Sequence, residues 1–200
     1  MRLHEALDHL AAIRAQVIRS ELGEALHAAP TAITGVLALG LASWQVAGEP
    51  LLDGERFTRA WLILGIAAAS LCGIDFVSRA VRATADERRR MGHALCQLAP
   101  PIAVGALVSF VMLNLGSTTL LPGLWAMLYG VSLNAARAYL PRGMVWVAAF
   151  YAGSGVIMLL LAAADPTPQA LGVGLTFGIG QLWCANVLRK PQRSRCEATS

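Results

Sequence analysis

Apolar residues in this chain come in long runs that polar residues interrupt only briefly. No Asp, Glu, Lys or Arg falls between Ala94 and Ala136, between Gly143 and Ala164, or between Pro166 and Leu188. A bilayer-spanning helix needs about 20 apolar residues. The runs therefore predict helical spans at about Thr31–Val46, Ala60–Val81, Ala94–Leu115, Leu120–Ala138, Gly143–Ala163 and Gln169–Leu188. The breaks between them carry turn chemistry. Gly48–Arg59 holds Pro50, Asp53 and Gly54, Gly116–Thr119 is short and polar, and Asp165, Pro166, Thr167 and Pro168 make the last turn. Pro122 suits the first turn of a helix, where its missing N–H has no partner to lose. Pro141 comes late in its run, ends that helix and separates it from the next.

Met1–Ala29 follows a different period. Leu3, Ala6, Leu7, Leu10, Ile13 and Val17 recur at three- and four-residue spacing, which is one face of a helix. Glu5, Asp8, Arg14, Arg19, Glu21 and Glu24 fill much of the remainder. A leader this long that mixes acids with bases is not a signal peptide. It predicts an amphipathic cytoplasmic helix lying on the membrane or against a partner, with Leu3, Leu7, Leu10, Ile13 and Val17 as its docking face. The expected fold is all-α and polytopic: six transmembrane helices plus this N-terminal amphipathic cytoplasmic helix. Residues 1–29 form that helix, 30–188 the bundle and 189–200 a basic cytoplasmic tail.

Composition agrees with a membrane protein. Hydrophobic residues make up 56% of the chain and charged residues 14%, against roughly a quarter charged in a soluble domain. The net charge of +4 invites a nucleic-acid reading, but the basic residues sit between apolar runs and no groove-reading module is visible. Of the 16 basic residues, all but Arg56 and Arg59 fall on one side of a six-span topology. Such a bias predicts both termini in the cytoplasm, with anionic lipid as the partner of the basic face. Trp44, Trp61 and Trp125 fall near the outer ends of the spans and Trp146 and Trp183 near the inner ends, the depths tryptophan favours. Cys72, Cys96, Cys184 and Cys196 form no CxxC pair, so no zinc or redox motif is expected.

Candidate chemistry is sparse. Asp75 and Arg79 share a helix face at i,i+4, acid before base, inside the second run. Ionisable residues in a membrane are functional candidates by default. A local pair near the inner end, with Arg79 reaching for the interface, is the plainer reading. Asn134 and Arg137 share a face with Gly123, Met127 and Gly130, which could line a polar cavity or simply pack. Gln181 lies on the face of Gly174 and Gly178, and Gly65, Ala69 and Gly73 repeat small residues every four positions. Both are helix-contact patterns. Asp75, Arg79, Asn134, Arg137 and Gln181 together form the candidate polar intramembrane face. His4 and His9 do not have HExxH spacing, and Gly153–Ser154–Gly155 lacks a partner base. No catalytic residue, cofactor or metal is expected, and an enzyme is the least supported class.

Four segments carry a resemblance: LDHLAAIRAQV in the leader, APPIAVGAL in the third run, LLPGLWAMLYGVSL in the fourth and GIGQLW in the sixth. In this order they resemble a group of uncharacterised bacterial six-helix inner-membrane proteins, often encoded beside a winged-helix transcriptional regulator. The resemblance implies a bacterial inner-membrane location and a membrane partner or sensor rather than an enzyme. The leading expectation is a non-enzymatic accessory, regulatory or complex-forming protein that contacts another protein or a second copy. The alternative is a small transporter or lipid-binding membrane subunit, and a structural subunit of a larger complex is a third possibility.

Overall fold

A computed structural model describes residues 28–47, 54–164 and 170–198. The described residues are almost wholly helical. Six helices follow in order: α1 (Ala28–Ala47), α2 (Gly54–Arg82), α3 (Ala85–Asn114), α4 (Leu121–Ala135), α5 (Met144–Ala164) and α6 (Ala170–Ala198). All but α4 are long and apolar enough to cross a membrane. The expected N-terminal helix, with Leu3, Leu7, Leu10, Ile13 and Val17, lies outside the described residues.

The apolar runs locate the helices, but several ends differ from expectation. The α2 helix begins at Gly54, ahead of Ala60, because Glu55 in its first turn favours the helix dipole and pairs with Arg59 one turn on. The α3 helix begins at Ala85 rather than Ala94. Thr84 caps it, accepting from the Glu87 N–H while the Glu87 carboxylate accepts from the Thr84 N–H at 2.8 Å. Arg88 turns back to donate to the carbonyls of Ala80 and Ala83, closing the end of α2. The fourth run is α-helical only to Ala135, and Ala136–Ala138 tightens into a 3-10 turn before Pro141. The α6 helix continues past Leu188 to Ala198, where a polar tail is expected. Arg, Lys and Gln are good helix formers, so leaving the apolar run need not end the helix. Gly116, in the turn after α3, has φ 69°, a left-handed conformation that favours glycine.

Packing is uneven around the bundle. The most extensive contacts are α1 with α6 and α4 with α5. Glycines let these backbones approach. A Cβ on Gly123 would stand 2.9 Å from the Gly155 carbonyl oxygen, and one on Gly155 would stand 2.7 Å from that of Gly123. Gly130 meets Ala148 and Ala152 in the same way, and Gly35 of α1 meets Gly178 of α6. Lesser contacts join α5 to α6, α3 to α4, α1 to α2 and α2 to α3, so the helices close into a ring. Only 6% of the apolar stretch of α2, and of α3, is buried, against 33% in α1 and α5 and 50% in α6. At one end of the ring Met91 and Ala94 of α3 pack with Phe76 and Ala80 of α2, with Ala83 just after it and with Tyr139. This end carries Arg79, Arg82, Arg88, Arg89 and Arg137.

Candidate functional site

A cavity of about 400 Å³ lies inside the ring. Trp61, Leu64, Gly65, Ala68 and Ala69 of α2 line one side, and Pro101, Gly105, Ala106 and Ser109 of α3 another. Thr34 and Ala38 of α1, Trp125, Leu128 and Tyr129 of α4, and Phe177 and Gln181 of α6 complete it. Gly65, Ile66 and Ala69 on α2, and Ile102 and Ala106 on α3, line the cavity and are also exposed on the outside. The cavity therefore opens sideways between α2 and α3.

Three hydrogen bonds between helices frame this space. The Trp61 indole donates to Gln45 Oε1 at 2.9 Å and ties α2 to α1. The Trp125 indole donates to Ser109 Oγ at 2.7 Å and ties α4 to α3. The Gln181 amide donates to the Tyr129 hydroxyl at 3.1 Å and ties α6 to α4. Polar groups in a membrane need partners, and such bonds join helices where apolar contact alone has little preference. The other hydroxyls on the wall are used locally: Thr34 donates to the Thr31 carbonyl and Ser109 to that of Gly105. Behind the wall Tyr129 stacks edge-on against Tyr151, ring centres 4.7 Å apart, and Phe177 lies 5.5 Å from Tyr151. The Tyr151 ring presses on Gly180, and its buried hydroxyl has no hydrogen-bond partner among the described residues.

The residues of the expected polar face are not gathered into one surface. Gln181 lines the cavity. Asp75 and Arg79 pair at 3.1 Å, each about a quarter exposed, beyond the cavity toward the basic end of α2. Asn134 and Arg137 are exposed at the end of α4 and in the 3-10 turn. The glycine patterns divide. Gly174 and Gly178 pack on α1, and Gly123 and Gly130 pack on α5. Gly65 and Gly73 have no atom within reach of an added Cβ, so among the described residues these two glycines of α2 serve no helix contact. Sequence reasoning missed Tyr129, Gln45 and Ser109. Their signal was a polar side chain within an apolar run, the criterion that singled out Gln181. Among the described residues no cluster of three His, Cys, Asp or Glu side chains is arranged to hold a metal.

No family model matches the chain, and no solved structure matches it.

Proposed function

We propose that this chain is a non-enzymatic multi-pass membrane protein that holds a lipid-like apolar molecule inside its helix ring. The carrying observation is the cavity of about 400 Å³, apolar on nearly every wall and open sideways between α2 and α3. Small-molecule sites span about 300–1,000 Å³ and are mostly apolar with a few placed polar groups. A ligand already dissolved in the bilayer would reach the opening without crossing water. The test is purification in mild detergent, solvent extraction and mass spectrometry of what the protein retains. An apolar compound should co-purify near one per chain and be lost from Ala69→Phe, whose ring would fill the cavity. Equal retention by both proteins would refute the reading.

The proposed setting is six crossings with both termini in the cytoplasm. It is supported by the Arg-rich end of the ring and by Arg189, Lys190, Arg193 and Arg195 toward the end of α6, against Arg56 and Arg59 at the start of α2. The sequence resemblance supports a bacterial inner membrane. Single cysteines in a cysteine-free background should label from outside at Gly116–Thr119 and at Arg88 only after permeabilisation. The reverse order would overturn the orientation.

The accessory reading, in which the chain docks a protein or a second copy, is favoured by the small buried share of α2 and α3. Deleting Met1–Ser20 should then release a co-purifying protein while leaving the bundle inserted. Failure to insert would assign that segment to the fold instead.

A further inference from the structure

Gln181 and Tyr129 are the cavity's incompletely used polar groups. The amide of Gln181 donates one bond to the Tyr129 hydroxyl, and its carbonyl oxygen has no partner among the described residues. The Tyr129 oxygen accepts that bond and keeps its own proton to give. The pair thus presents one acceptor, the Gln181 carbonyl, and two donors, the second amide N–H and the Tyr129 O–H, to the cavity. Turning the amide over, so that its oxygen accepts from the Tyr129 O–H, leaves the same total: two amide N–H donors and one acceptor, the Tyr129 oxygen. Among the described residues the lining holds no Asp, Glu, Lys, Arg or His, so nothing there matches a charged head group. Asp75 and Arg79 form an ion pair outside the cavity, about 9 and 15 Å further along α2 than Ala69.

Resting on the proposed ligand-binding reading, we infer that the molecule is an apolar chain bearing one uncharged group that both donates and accepts a hydrogen bond, a hydroxyl or a secondary amide, bound at Gln181 and Tyr129. A hydroxyl completes both groups at once. An ether or ester accepts from Tyr129 and leaves the Gln181 carbonyl unmet, and a plain hydrocarbon leaves both unmet. Sites built to hydrogen-bond a ligand discriminate against analogues lacking the bond, because their own polar groups are then stranded.

Trp61 and Trp125 line the same cavity and report on its contents. The full chain is placed in nanodiscs with the exposed Trp44, Trp146 and Trp183 each changed to Phe. Quenching is measured with bromoundecanol, its methyl ether and bromoundecane, at matched mole fractions in the lipid. The alcohol should half-saturate at about tenfold lower mole fraction than the ether or the alkane. Tyr129→Phe and Gln181→Leu should each lose that preference while still being quenched. Two such variants, together with a comparison made on the unaltered cavity, keep the test independent of any one substitution folding. Equal saturable quenching by all three probes would overturn this inference and leave the apolar-ligand reading standing. Absence of saturable quenching by any probe would overturn both.

Discussion

Gly155 of α5 and Gly73 of α2 are both glycines inside apolar helices, and their surroundings are opposite. A Cβ on Gly155 would stand 2.7 Å from the Gly123 carbonyl, while one on Gly73 would meet nothing within 4 Å among the described residues. The first glycine lets two backbones touch. The second leaves a helix side bare. The pairs α4–α5 and α1–α6 make the rigid part of the ring, and α2 is held at its edge by the Trp61–Gln45 bond and the contacts at the basic end. An enclosed cavity needs this inequality. Six helices packed as closely as α4 on α5 would leave no room inside.

The strongest way to break the comparison is to place a side chain on the tight interface. Gly155→Leu is expected to abolish the folded bundle, and Gly155→Ala to cost about 1–3 kcal/mol, read from thermal unfolding in detergent. Tolerance of Gly155→Leu would mean that the α4–α5 contact is not the rigid part. Next is the tether of α2. Trp61→Phe strands the Gln45 carbonyl oxygen, in a residue only 3% exposed, and should cost about 1–3 kcal/mol. It should also raise proteolysis or amide exchange in α2 before the rest of the ring. Gly73→Ala goes the other way: with open space around it, the gain in helix preference is about 0.5–1 kcal/mol. Any loss there would reveal a contact on the bare side.

Smaller effects test the basic end. Exchanging Asp75 and Arg79 for each other should shift stability by no more than about 1 kcal/mol, since each is about a quarter exposed and the pair is local. A swapped protein that folds yet loses ligand or partner would give the pair a role in function. At the start of α3 the Thr84 N–H bond holds the Glu87 carboxyl below its ordinary value. The stabilisation is therefore present above the unfolded-state pKa and is lost as pH falls through the lower folded value. The protection of the amides near Thr84 and Ala85, relative to their intrinsic exchange at each pH, should fall only in that acid range and show no such step in Glu87→Gln. The bare side of α2 near Gly73 should show no such step.

The helices were legible because apolar run length and Pro141 are direct statements about a membrane and a break. The start of α3 was equally visible as Thr84–Ala85–Asp86–Glu87, a capping box, but the Arg residues that follow suggested a loop. The cavity was not legible. Gly65–Ala69–Gly73 and Gly174–Gly178 have the same spacing, yet the glycines of one pattern face open space among the described residues and those of the other the Ala42 and Leu39 side chains of α1. Spacing fixes a face, and only the whole arrangement says what meets it. Gln181 stood out as a polar residue in an apolar run, while its partner Tyr129 lies 52 residues away on another helix.

The shortness of α4 has a consequence for the surrounding bilayer. Its 15 α-helical residues and the 3-10 turn after them reach about 28 Å, whereas the 30 residues of α3 beside it reach about 45 Å. A hydrocarbon layer about 30 Å thick matches the first and falls short of the second. In the proposed six-crossing setting the membrane thins slightly at α4 while α3 tilts or extends past the surface. Stretching or thickening the bilayer would therefore act unequally on two adjacent walls of the ring, making the protein's shape depend on membrane thickness.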